Sequence, residues 1–202
     1  SIPGPSSVLV PLNTVKRADP IYFIHCIDGT VWNLANLANL LPFPCIGIQA
    51  THLGKIQSVE ILAEQYWNAI RTQQSDGPYR FGGYSFGCRV AFAMAHLATS
   101  QGYDVEPVIL LDAMPFSLDD KSKQPDASTY IERIFGQKMA ADMQYHLTEH
   151  YTAHLKIDST YRPNYHVATG VHLFKTTHWE ADTTVLAARF GDFYTKKIIP
   201  RI

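Results

Sequence analysis

No apolar run in this sequence approaches the roughly 18 residues needed to cross a bilayer as a helix. The strongest, Val108-Ile109-Leu110-Leu111, is four residues long. Charge imbalance is equally lacking: 17 Lys and Arg against 18 Asp and Glu leave a net charge of −1, with no basic cluster. That argues against nucleic-acid binding through bulk charge. Cysteine is scarce too. Cys26, Cys45 and Cys88 cannot all pair and lie inside apolar segments, so they read as reduced core residues of an intracellular, cytoplasmic protein. The first residues, Ser1-Ile2-Pro3-Gly4-Pro5-Ser6-Ser7, have neither the basic start nor the apolar stretch of a signal peptide. No repeat of solenoid length is visible. What is present is apolar material: 46% of 202 residues are hydrophobic and only 17% charged, enough for one packed core and too much for disorder.

Residues 1–7 read as a linker, and 8–202 as one domain. Ile21-Tyr22-Phe23-Ile24-His25 is a buried-strand run closed by Asp28-Gly29. Trp32, Leu34, Leu37, Leu40 and Leu41 suit a helix ended by Pro42, and Cys45 to Gln49 a second strand. Ser58 reads as an N-cap before Val59, Leu62, Ala63, Tyr66, Ala69 and Ile70 at helical spacing. Tyr79–Gly82 predicts a third strand, Cys88–Thr99 a helix and Pro107–Leu111 a fourth strand. Strands apolar on both faces, alternating with helices, predict an α/β fold: a mostly parallel sheet covered by helices on both faces. Residues 116–160 are polar, with helix-like material from Tyr130 to about His154, and read as a lid insertion. The rhythm resumes at Val171–Phe174 and Lys197–Ile199.

The chemistry centres on Gly83-Tyr84-Ser85-Phe86-Gly87, a G-x-S-x-G. The pentapeptide alone recurs by chance; its place between an apolar strand and a helix is what marks a nucleophile elbow. Small glycines permit the sharp turn and the close strand–helix approach, and the helix N-terminus aims free N–H groups at a developing oxyanion. A serine hydroxyl needs a base, and the base an orienting acid. Asp112 follows the strand 108–111 and emerges at the same sheet edge as Ser85. The loop His25-Cys26-Ile27-Asp28-Gly29 can add a main-chain donor from Ile27 to that of Phe86. His25 itself reads as a strand-end histidine bonded to a neighbour rather than as a base.

The segments 20–29, 77–87 and 90–95, together with Asn13, Gln49 and Leu111-Asp112, resemble the chain-releasing thioesterase domain of multidomain synthases. The likeness is greatest to animal-type fatty acid synthase, then to polyketide and nonribosomal peptide synthases. It covers about residues 8–115 and, more loosely, 160–202. The resemblance implies an α/β-hydrolase fold, Ser85 as nucleophile, Asp112 as acid, Ile27 and Phe86 as oxyanion donors, and a lid forming the acyl channel. It implies no cofactor in the domain: the substrate rides on the phosphopantetheine of an acyl carrier protein, and the partners are that carrier and the other synthase domains. The expected reaction is hydrolysis of a fatty acyl thioester through an acyl-serine. Alternatives are release of a polyketide or peptide by hydrolysis or cyclisation, or a non-catalytic acyl-binding module.

Two departures qualify the resemblance. Ala93 stands where the family usually has an acidic residue. The base histidine belongs just beyond the last strand, and the sequence ends at Ile202 within it, so that histidine is expected outside this chain; His178 is a poor substitute. A rival motif is His146-Leu147-Thr148-Glu149-His150, an H-x-x-E-H that could grip zinc on one helix face, with His154 extending the row. It lacks a well-placed third ligand and reads instead as a solvated face of a lid helix.

Overall fold

The computed structural model describes residues 7–51, 56–116, 124–176 and 194–199. Seven strands form one sheet in the order β1-β3-β2-β4-β5-β6-β7. They are β1 (Leu9–Pro11), β2 (Ile21–Ile24), β3 (Cys45–Ile48), β4 (Arg80–Tyr84), β5 (Val108–Leu111), β6 (Val171–Thr176) and β7 (Tyr194–Ile199). Every neighbouring pair is parallel except β1 with β3, where Leu9 faces Ile48 and Pro11 faces Ile46. The antiparallel edge strand β1 has no sequence signature, since three residues are too few to show a period.

Burial on both faces explains the continuous apolar strands. In β2, Tyr22 and Ile24 enter the larger core cluster, while Ile21 and Phe23 enter the smaller one on the opposite face. The larger cluster is built with α2 (Val59–Arg71) and α3 (Gly87–Ser100), and the smaller with α1 (Ala35–Asn39) and its flanking segments. Each fully buried Ile, Leu or Phe contributes about 1.5–3 kcal/mol to that packing. The Ser58 hydroxyl accepts from Ile61 N at 3.2 Å, so α2 begins at the expected cap. All three cysteines are buried and unpaired with one another.

Three expectations change. The helix expected over 32–41 is a 3₁₀ turn at Trp32–Leu34 running into the five-residue α1. Near-consecutive leucines without a side-chain cap do not sustain a longer helix there. The lid is two helices, α4 (Ala127–Phe135) and α5 (Ala141–Thr160), separated at Gly136, whose φ of 81° ends α4. α5 also runs six residues beyond His154. The linker, apart from Ser7, and His178 lie outside the described residues. No helix among those residues is long and apolar enough to cross a membrane.

Candidate active site

β4 delivers Ser85 into a turn that only small residues allow. A Cβ on Gly83 would lie 2.2 Å from Gly87 O, and one on Gly87 2.5 Å from Ile24 O, so both glycines are fixed by backbone contact. Ser85 itself takes φ 55°, the left-handed region that costs a side-chain-bearing residue about 1–3 kcal/mol and recurs at functional sites. Its N–H donates to Leu111 O at 3.2 Å, tying the turn to the end of β5. Asp112, the next residue, also has a positive φ, 58°, and its N–H donates to Phe174 O at 2.7 Å. The sheet thus places Ser85 and Asp112 at one edge, both in strained backbone, and both line one cavity of about 180 Å³.

Ile27 and Phe86 line the same cavity. Phe86 is the N-cap of α3, and neither its N–H nor that of Ile27 is spent on a carbonyl among the described residues. Those two donors are available to an oxyanion bound beside Ser85. No histidine lines the cavity among the described residues.

His25 is fully buried with both ring nitrogens engaged. Nδ1 lies 2.5 Å from Cys26 O, and Nε2 lies 2.6 Å from the Tyr66 hydroxyl. A carbonyl only accepts, so Nδ1 carries the proton and Nε2 accepts from Tyr66. Burial lowers its pKa to about 4, which keeps the ring neutral. It is a structural strand-end histidine, as the sequence suggested.

The H-x-x-E-H helix departs from expectation: Glu149 is exposed and His146 half-buried, but the side that carries His150 and His154 is not solvated. His150 and His154 are 4% and 0% exposed, and their rings stack at a centroid separation of 5.7 Å. His154 also stacks on His25 at 4.7 Å and on Phe86 at 5.0 Å, and its Nδ1 donates to Ile27 O at 2.8 Å. Desolvation holds His150 at a pKa of about 4 and His154 well below its ordinary value. These rings serve as packing between the lid and the Ile27 loop. No group of three or more His, Cys, Asp or Glu among the described residues is arranged to hold a metal ion.

Two cavity residues escaped sequence reasoning. Arg89, 5% exposed, and Asp158, 3% exposed, form an ion pair at 2.9 Å, and Arg89 Nη1 donates to Ser85 O at 3.0 Å. The available signals were a lone arginine in the otherwise apolar run 87–95, and the spacing of His150, His154 and Asp158 at successive fourth positions. That spacing places all three on one side of α5. Asp28 is another buried carboxylate; burial raises its pKa, while Thr30 N and Oγ1 donate to it at 2.8 and 2.7 Å.

A second, larger cavity of about 960 Å³ lies beyond Asp28. It is lined by Val31, Trp32, Ile134, Met143 and Leu147 among others.

Comparison with known proteins identifies the family and the fold. The chain is 30% identical over 137 residues to the polyketide synthase PksR of Bacillus subtilis (strain 168), a match spanning 66% of this chain and 5% of that protein. It is 33% identical over 125 residues to a dimodular nonribosomal peptide synthase of the same organism, spanning 59% of this chain and 5% of the other. The matched region is thus a small fraction of these curated relatives. Among solved structures, the NocB thioesterase domain in covalent complex with a fluorophosphonate nocardicin G analog superposes with a TM-score of 0.77. That alignment covers 97% of this chain and 90% of the other at 20% identity. The surfactin thioesterase domain SrfTE gives 0.72 at 17% identity, covering 92% and 82%. At such identities these structures establish the shared α/β-hydrolase fold. The family model of the thioesterase domain matches residues 19–148, well over half of the sequence, and the chain belongs to that family.

Proposed function

We propose that the chain is a serine thioesterase that releases an acyl chain from the phosphopantetheine thioester of a carrier protein. The observation that carries this reading is the convergence of Ser85, Asp112, Ile27 and Phe86 on one cavity, with the serine at φ 55°. Ser85 Oγ attacks the thioester carbonyl while the proton passes to a histidine oriented by Asp112. The Ile27 and Phe86 N–H groups hold the oxyanion, the thiol leaves, and water or an internal nucleophile then frees the acyl-serine.

The small cavity has room for the reacting carbonyl, while the cavity of about 960 Å³ is of the size and apolar character that suits an extended substrate chain. Relatives that are polyketide and nonribosomal peptide synthases favour a polyketide or peptide chain over a fatty acyl chain. The carrier and neighbouring synthase domains are the expected partners.

A fluorophosphonate probe tests the nucleophile. The full-length protein should label at Ser85, and Ser85→Ala should abolish both labelling and thioester hydrolysis. Labelling that persists in Ser85→Ala would refute the assignment. Asp112→Asn should retain Ser85 but lower turnover by about 10⁴, the scale of an acid that fixes the histidine tautomer. Comparing fatty acyl, polyketide-like and peptidyl thioesters of one small thiol would rank the substrate classes.

A further inference from the structure

Each oxyanion donor is one end of a planar peptide whose other end is a carbonyl, so whatever holds the carbonyl aims the N–H. The Ile27 N–H shares its peptide with Cys26 O, which accepts from His25 Nδ1 and, at 3.0 Å, from Gly29 N. The Phe86 N–H shares its peptide with Ser85 O, which accepts from Cys88 N at 3.1 Å and Arg89 Nη1 at 3.0 Å. The two arms therefore differ. One carbonyl is held by a neutral imidazole, the other by a guanidinium locked 2.9 Å from Asp158 of the lid helix.

We propose that Arg89, fixed by Asp158, is a positioning residue for the oxyanion hole. Its cation on Ser85 O orients the Ser85–Phe86 peptide and polarises it, making the Phe86 N–H a stronger donor to the oxyanion. Because Asp158 belongs to α5, the strength of this donor depends on the lid being seated. The proposal rests on Ser85 being the nucleophile. It assigns a job to a buried ion pair that lines the cavity but is not needed to describe the acyl transfer itself.

The test uses the full-length protein and the double variant Arg89→Met with Asp158→Leu. Removing both charges together avoids stranding one of them, and apolar replacement of a buried pair is commonly tolerated. Arg89→Lys and Asp158→Asn serve as milder companions should the double variant not fold. The readouts are the fluorophosphonate labelling rate, kcat and KM on a thioester, and affinity for a trifluoromethyl ketone that places an oxyanion in the hole. Complete loss of an oxyanion donor costs about 10²–10³ in rate, so a misaimed one should cost about 30-fold in the double variant and less in Arg89→Lys. Ketone affinity should fall by the same factor with KM changed by less than about 3-fold, the pattern of lost transition-state binding. A folded variant that labels and binds the ketone like wild type overturns the proposal, as does a loss confined to KM. Wild type that never labels at Ser85 would instead sink the thioesterase reading, and this proposal with it.

Discussion

The β4–α3 turn and the inner side of α5 both border the Ser85 cavity, but opposite kinds of constraint hold them in place. The turn is fixed by backbone touching backbone: at Gly83 and Gly87 there is no room for even one carbon. The lid helix also buries Leu147, Tyr151 and Ile157, but what it presses onto the Ile27 loop and Arg89 is a row of polar side chains, His150, His154 and Asp158. Steric exclusion is absolute and insensitive to pH. The buried imidazoles are conditional on protonation, and the buried ion pair on each partner staying in place. The nucleophile is therefore on the rigid side of the cavity and the cover on the adjustable side.

The largest expected effect separates the two regions by their glycines. Gly83→Ala places a methyl 2.2 Å from a carbonyl oxygen and 2.3 Å from its carbon, neither of which can yield. Destabilisation beyond about 4 kcal/mol, or no folded protein, is the expected result. Gly136→Ala, in the turn between α4 and α5, meets nothing within 4 Å and suffers only the penalty of a backbone conformation (φ 81°, ψ 170°) nearly reserved for glycine, about 1–3 kcal/mol. Urea unfolding of both variants measures the contrast. Equal costs would mean that the elbow is no more rigid than the lid.

Acidification should act where α5 meets the loop after β2, at the stacked rings of His25, His150 and His154. The pKa of His25 falls from 6.5 to about 4 on folding, His150 shifts likewise to about 4, and His154 moves in the same direction. Below pH 6.5 the unfolded chain binds protons that the folded chain refuses. Stability therefore falls as pH drops from about 6.5 to 4, and no further on account of His25 once the folded state also titrates. The His25 contribution is on the order of 3 kcal/mol. His154→Phe keeps a stacking ring but removes one of the three titrations. It should cost about 1 kcal/mol near pH 7.5, through the lost bond to Ile27 O, and flatten the pH dependence. Thermal melts across pH 4–7.5 decide the matter; an unchanged slope in His154→Phe would show that this ring does not titrate on unfolding.

The same contrast explains what the sequence made legible. The strands other than β1, the elbow, Asp112 at the end of β5 and the Ser58 cap follow from apolar patterning and local chemistry, which a short window of residues contains. His150 and His154 follow from the docking of α5 against a loop more than a hundred residues earlier, and Asp158 from its docking against Arg89 of α3, and polarity there points toward solvent. Their burial could be inferred only from their sharing a stripe with Leu147 and Tyr151, both buried. The positive φ of Asp112 has no local signal either, since nothing in Leu111-Asp112-Ala113 demands it.

The smallest effects concern how the helices on the two sides begin. Body helix α2 has a side-chain cap from Ser58, whereas lid helix α5 starts at Ala140, which has extended backbone and no side chain to offer. Ser58→Ala should cost about 1 kcal/mol of global stability, because α2 packs into the main core and its fraying is coupled to unfolding. Ala140→Ser supplies an N-cap oxygen to the first turn of α5, where Met143 N–H already donates to Asp142 Oδ1 at 2.9 Å, and should stabilise that helix by only about 0.5 kcal/mol. If the lid opens independently of the body, the gain will appear as slower amide exchange in α5 with little change in global unfolding. A full gain in global stability instead would show that α5 unfolds only with the sheet. The adjustable side of the cavity would then be no less tightly coupled to the core than the rigid one.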